Sequence, residues 1–167
     1  AIVSIMQANN ETGVIFDVDS IGPIVKERGA VFHVDGVQAA GKLPVDMEAS
    51  SSIDLFSISG HKVHAAKGVG ALFVRKGTKL RPIIVGGHQE RGRRAGTENV
   101  ASVAGFGTAC DLAAAAIELE NTAVKAMRDR LEEGLLTAIP DSQRNGDRGL
   151  TIGGNNGGSI DGFTVTG

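Results

Sequence analysis

Three polar residues lie just beyond the ends of short apolar runs, and their types could serve one reaction. Lys62 follows the run Ile53 to Ile58 in SISGHK, Asp35 follows AVFHV, and Asn10 follows Ile2 to Met6. In open α/β sheets, ligands gather outside the carboxyl ends of strands. If the three strands are neighbours, the three groups meet on one edge. A lysine amine placed there can form a Schiff base with an aldehyde cofactor. Pyridoxal 5'-phosphate needs such a lysine and an acid paired with its pyridinium nitrogen, which keeps the ring an electron sink. Asp35 suits that second role. On the pattern alone, a surface lysine and a turn-forming aspartate account for the same residues, because both types are common at strand ends.

The elements that must position these groups follow from the periodicity. Continuous apolar runs at Ile2 to Met6, Ala30 to Val34, Ile53 to Ile58 and Val69 to Val74 read as buried strands. Between the first two, Ile21, Ile24 and Val25 share a helical face, closed by Lys26, Arg28 and Gly29. Strands without polar alternation, separated by a helix, predict an α/β, three-layer fold with a mainly parallel sheet. From Glu98 to about Ile139 the pattern turns helical. Val100, Val103, Ala104, Phe106, Leu112, Ala116 and Leu119 mark a first helix, with a break expected at Asn121-Thr122. Leu131, Leu135 and Leu136 mark a second, stopped by Pro140. Core packing is the expected use of both apolar faces.

The texture changes at the end of the chain. GLTIGGNNGGSIDGFTVTG, from Gly149 to Gly167, resembles a single coil of a right-handed β-helix, which cannot bury its own face. It reads as a tail, so residues 1–147 form the domain and residues 148–167 an atypical glycine-rich segment.

Composition narrows the classes. The chain has 167 residues, 41% hydrophobic and 22% charged, with a net charge of -2. Such a balance matches a soluble globular domain and offers no global basic field for nucleic acid or an anionic membrane. A single cysteine excludes an internal disulfide and points to a reducing compartment, so a cytoplasmic setting is expected. No run of about 18 or more apolar residues predicts a membrane span. The opening AIVSIMQ has neither a basic n-region nor an initiator methionine, so no signal peptide is expected and the chain looks like an internal fragment.

The segments MQANNETG, FHVDGVQAAGKLPVD, SISGHKVHAAKGVGALFVRKG and GGHQERGRRAGTEN, in this order, resemble the NifS/IscS-type cysteine desulfurases of the class V aminotransferase family. The likeness runs from Ala1 to about Gly146. It implies the large domain of a fold-type I pyridoxal phosphate enzyme and a homodimer. By resemblance, Lys62 matches the Schiff-base lysine and Asp35 the partner of the pyridine nitrogen. Gln38 matches a donor to the ring hydroxyl oxygen, and Asn10 a residue near that oxygen and the substrate carboxylate. Ser59 and His61 match phosphate ligands. Thr97 matches a residue that reaches the phosphate bound by the other subunit. The implied reaction removes sulfur from L-cysteine to leave L-alanine. A mobile-loop cysteine takes the sulfur as a persulfide and passes it to a scaffold protein for iron–sulfur cluster assembly.

The chain departs from the family at the nucleophile. Its only cysteine, Cys110, sits in a predicted helix among small apolar residues (GFGTACDLAAAA) and reads as a core residue. The family's nucleophilic loop lies beyond the resemblance, so the isolated chain is expected to be inactive. A selenocysteine lyase, another class V relative, or a remnant that only folds or associates are the alternatives.

Other signals are weaker. His61 and His64 lack further ligands at metal-site spacing. His33 alternates with apolar neighbours and reads as a satisfied core histidine. Lys67 fits a loop lysine better than a second Schiff-base candidate. Arg91, Arg93 and Arg94 have no interleaved aromatics to support RNA binding, and no GxGxxG follows a strand.

Overall fold

The structure is a computed structural model; it describes residues 1–146 and the backbone of residues 163–165. Four strands form one sheet in the order β1-β2-β3-β4: β1 (Ile2–Met6), β2 (Val31–Asp35), β3 (Leu55–Ser59) and β4 (Gly70–Val74). The first three are parallel, with Met6 opposite Asp35 and Asp35 opposite Ser57. The mainly parallel α/β arrangement is the expected one. β4 runs antiparallel to β3. The connection between them, Gly60 to Val69, is too short for a parallel crossover, which takes a dozen or more residues.

The crossover from β1 to β2 is the helix α1 (Val18–Glu27), capped by Asp17, whose carboxylate accepts the Ser20 backbone N–H at 3.0 Å. Gly29 ends it in the left-handed region at φ 65°, the conformation that favours glycine after a helix. Val18 and Val25 of α1 pack on Phe32, Val34, Ile53 and Phe56. Phe32 and Val34 are fully buried. Ile24, expected on the same face, is 61% exposed: it falls one step round the helix from the Val18–Val25 stripe.

Beneath this core, Asp54 ties three elements together. Its carboxylate accepts the Phe32 N–H at 2.8 Å and the Lys26 ammonium at 2.7 and 2.8 Å. Burial pushes the Asp54 carboxyl up, but the hydrogen bonds from Lys26 and Phe32 and the charges of Lys26 and Arg75 outweigh it. The group stays below the ordinary carboxylate range.

After a single turn with left-handed Glu90 and Arg91, α2 (Gln89–Gly92), the chain enters one long helix. It comprises α3 (Val100–Leu119), a π-helical segment (Glu120–Val124) and α4 (Lys125–Ala138). Asn99 caps it through the Ser102 N–H at 3.2 Å. The expected break is thus a bulge rather than an interruption. Asn121 donates to the carbonyls of Ile117 and Lys42, and Thr122 to that of Glu118; such side-chain bonds bend a helix without ending it.

The expectation that both apolar faces pack into the core is met only in part. Phe106 and Ala109 are buried, but Val100, Val103, Leu112 and Leu131 are more than half exposed. Nothing among the described residues covers them. By length and composition Val100–Ala138 would suffice to cross a membrane. Its Phe106 and Ala109 instead pack on Val63, within the turn that follows β3.

β5 (Ser142–Arg144) pairs antiparallel with β6 (Phe163–Val165). Arg144 anchors β5 to α4 through buried Glu132 at 3.1 Å. The rest of the glycine-rich segment lies outside the described residues.

Candidate active site

β1, β2 and β3 are adjacent and parallel, so their carboxyl ends lie side by side. Two further backbone bonds carry the ladder past the last strand residues: Gln7 N–H to Asp35 O and Gly36 N–H to Ser57 O, both 2.9 Å. Asp35, Ser59, His61 and Lys62 are brought to this edge, with Gln38 in the turn after β2 and Asn10 in the loop after β1.

The Asp35 carboxylate is held by its own turn, Oδ1 accepting the Val37 N–H at 2.9 Å. Gly36 then has no room for a side chain: a Cβ would stand 1.9 Å from Phe56 Cζ. Its carbonyl accepts from Ala39 and Ala40, and fully buried Ala39 accepts from Lys42 and Leu43. Gln38 therefore rides on a tight, anchored turn. Gly41 closes that turn at φ 77°, pressed against Ala113 of α3 and Val63.

Lys62 sits in a 3-10 turn, Gly60–Val63, that starts where β3 stops. Gly60 abuts Val69, and its N–H donates to Val69 O at 2.9 Å. His64 ends the turn in the left-handed region, at φ 68°. Val63 packs on Phe106 and Ala109, so α3 holds the lysine-bearing turn from behind. Ser59 Oγ and His61 Nδ1 are 2.8 Å apart.

Asn10 is exposed. The residue that shapes its loop is Asn9, which opens the turn-rich run Asn9-Asn10-Glu11-Thr12-Gly13 but which the sequence did not single out for the site. Asn9 Oδ1 accepts from Glu11 N, Thr12 N and Thr12 Oγ1 at 2.8–3.1 Å. An asparagine followed by turn formers is the signal that could have found it. Thr97 is exposed in the segment before α3, and among the described residues no hydrogen bond or ion pair ties it to the strand-end group.

Cys110 is half-buried beside Val63, Phe106 and Ala109. It lines an apolar cavity of about 420 Å³ with Phe56, Ile58 and Phe73. Burial first, and the Asp111 charge second, push its thiol up. That is the opposite of what a thiolate nucleophile needs. Lys67 is an exposed loop lysine, and no metal-binding cluster exists among the described residues.

Residues 1–149 match the aminotransferase class-V family. This chain belongs to that family. Among curated class-V relatives, the cysteine desulfurase of Nostoc sp. is 57% identical over 88% of this chain. That of Gluconacetobacter diazotrophicus is 58% identical, and cysteine desulfurase NifS of Azotobacter vinelandii 52%, each over 88% of this chain. The class-V match is partial in one direction: the chain spans 36% of the length of each of these three relatives. Among solved structures, the NifS-like protein from Rickettsia africae superposes with a TM-score of 0.84 at 37% identity, over 90% of this chain and 41% of that one. DndA from Streptomyces lividans gives 0.79 at 37% identity, over 90% and 43%. The expected family and fold thus agree with the sheet and helices described above.

Proposed function

We propose that this chain forms the pyridoxal 5'-phosphate cradle of a cysteine desulfurase. The observation that carries this reading is the placement of Lys62 on the turn after β3, one strand from Asp35 at the end of β2, in a chain more than half identical to curated cysteine desulfurases. The donor set fits the cofactor: a primary amine for its aldehyde, a carboxylate for its ring nitrogen, an amide for its ring oxygen, and a hydroxyl–imidazole pair for its phosphate. When bound, pyridoxal phosphate supplies an electron sink that weakens bonds at an amino acid's α-carbon.

The chain's residues then divide the work. Asp35, fixed by the Val37 N–H, would pair with the ring nitrogen and keep it protonated. Gln38 would donate to the ring oxygen, and Asn10 would serve that oxygen and the substrate carboxylate. Ser59 and His61, already paired, would hold the phosphate. Thr97 would serve the phosphate of a second subunit in a homodimer. Lys62 would hold the aldehyde through its amine, and that amine is the base this chain offers for the proton at the α-carbon. The substrate is L-cysteine, the product L-alanine, and the sulfur goes to a scaffold protein for iron–sulfur cluster assembly in the cytoplasm. Cys110, with its raised thiol in an apolar wall, is not the sulfur acceptor. The thiol that attacks sulfur comes from outside these residues, and this chain by itself does not turn over L-cysteine.

The test is a spectral titration of the purified chain with pyridoxal phosphate, beside Lys62→Ala. A band near 420 nm (about that value for the cofactor in Schiff-base linkage) that borohydride fixes onto the peptide bearing Lys62, and that Lys62→Ala lacks, is expected. Identical spectra for the two chains would sink the reading.

A further inference from the structure

Two residues before each of the three strand ends stands a second polar side chain. Side chains alternate between faces along a strand, and in-register residues of neighbouring strands share a face. Ser4, His33 and Ser57 therefore stand on the side of the sheet that carries Met6, Asp35 and Ser59. His33 is directly opposite Ser4 on β1 and one step diagonal from Ser57 on β3. Its ring reaches both: Nδ1 is 2.7 Å from Ser4 Oγ, and Nε2 is 3.2 Å from Ser57 Oγ. Adjacent strands are about 4.8 Å apart, so one imidazole ties about 10 Å of sheet across three strands. Serine hydroxyls donate or accept, so both ring nitrogens are satisfied in either tautomer.

We infer that Ser4, His33 and Ser57 form a positioning rung for the site above them. Each tied residue precedes a strand end by two: Ser4 precedes Met6 and the Asn9-Asn10 loop, His33 precedes Asp35, and Ser57 precedes Ser59 and the Lys62 turn. These are the three strand ends that carry the candidate site. Backbone ladders fix register but tolerate a twist between neighbours of about 10–35°. A side chain bonded to both neighbours narrows that range just beneath the groups that must be aimed. The apolar alternative would have left the face no such tie: on the opposite face of β2, Phe32 and Val34 pack without bonding laterally. The rung's effect on the cofactor rests on the proposed pyridoxal phosphate reading, whereas its effect on the strand ends does not.

The test uses the full chain and four variants: His33→Leu, His33→Gln, Ser57→Ala, and Val25→Ala as a control in the α1 core. In the cofactor-free chain, amide hydrogen exchange is measured at Gln7 and Gly36, whose N–H groups close the ladders at the strand ends, on Asp35 O and Ser57 O. His33→Leu is expected to speed exchange there selectively, His33→Gln to restore most of the protection, and Val25→Ala to speed exchange over α1 and β2 instead. On titration with pyridoxal phosphate, His33→Leu is expected to bind about tenfold more weakly, the low end of what losing an outer-shell partner costs at other sites. The pH midpoint of the bound cofactor's absorbance moves with it, because that midpoint reads the aim of Asp35. Val25→Ala leaves the midpoint in place. Ser57→Ala, which loses one of the two bonds, carries the same signs at smaller size and serves if His33→Leu does not fold. Unchanged exchange at Gln7 and Gly36 overturns the inference. So does altered exchange with unchanged affinity and midpoint, which would leave the rung a strand tie only. A wild-type chain that takes no cofactor overturns the proposed function and the rung's role towards it, while the exchange comparison still decides whether the rung sets the strand ends.

Discussion

Gly36→Ala is the substitution that presses hardest on the link between core and site. Gly36 lies between Asp35 and the Gln38 turn, and its φ is not in the left-handed region, so only space forbids a side chain. An alanine Cβ would stand 1.9, 2.3 and 2.6 Å from three ring carbons of Phe56. Ordinary contact begins near 3.5 Å, so the ring or the backbone must move by about 1.5 Å. Phe56 is 5% exposed and packed against the α1 core. Overpacking of this kind costs about 3 kcal/mol, the upper end of the usual range. At roughly 2–4 °C per kcal/mol for a domain of this size, the melting temperature falls by about 6–12 °C. The assay is a double-mutant cycle with Phe56→Leu, read by urea denaturation. Phe56→Leu alone costs about 1.5 kcal/mol and removes the ring that the added Cβ strikes. The double variant is then expected to be more stable than the sum of the two losses by about 1.5 kcal/mol or more, within the range for residues in contact. Strict additivity would refute the clash argument. The same cycle read by cofactor titration should show Gly36→Ala weakening binding and Phe56→Leu restoring part of it, because the strain falls on the segment from Asp35 to Gln38.

The remaining expectations concern single groups. Asp54→Asn should cost about 2 kcal/mol at pH 7, between the roughly 0–1 of exposed pairs and the roughly 3–5 of buried ones, because Asp54 is buried while Lys26 is partly exposed. The folded-state pKa of Asp54 lies below its ordinary 3.8. Its stabilisation is therefore fully present above that value and is lost as pH falls through the lowered one. Denaturation curves should fall below about pH 4 more steeply for wild type than for Asp54→Asn, and parallel acid limbs would contradict this. Cys110 should react with a neutral alkylating reagent more slowly than a free cysteine at pH 8, since its thiol is pushed up and set in an apolar wall; reaction at the free rate would mean the wall opens. Asn9→Ala should cost about 1–2 kcal/mol by removing the acceptor of three bonds. It should loosen the Asn10 loop, visible as faster amide exchange at Glu11 and Thr12.

Which parts of this architecture were legible in the sequence follows from what each part depends on. Lys62, Asp35 and Asn10 could be singled out because each needs only a local fact, a polar residue after an apolar run, whereas Ser59 and Gln38 came from the family resemblance. β1 began with its run, while β2, β3 and β4 began one or two residues later than theirs. Ile53 enters through a turn, its N–H on Ser50 O at 3.1 Å, and Asp54 N–H bonds Phe32 O at 2.9 Å before Leu55 pairs with His33. What no local pattern could state is that β1, β2 and β3 are neighbours in that order. His33 shows the consequence: read alone, it is a histidine among apolar residues, and only lateral strand order turns it into a bridge between Ser4 and Ser57. The long helix shows the complementary limit. Periodicity identified apolar positions such as Val100, Leu112 and Leu131, but a period reports that a face is apolar and not that something covers it. Asn121 combines both limits. Its type argued for a break, since asparagine competes for backbone bonds. In place it donates at once to Ile117 four residues back and to Lys42 in the Gln38 turn, so the residue that locally weakens the helix also fastens that helix to the candidate site.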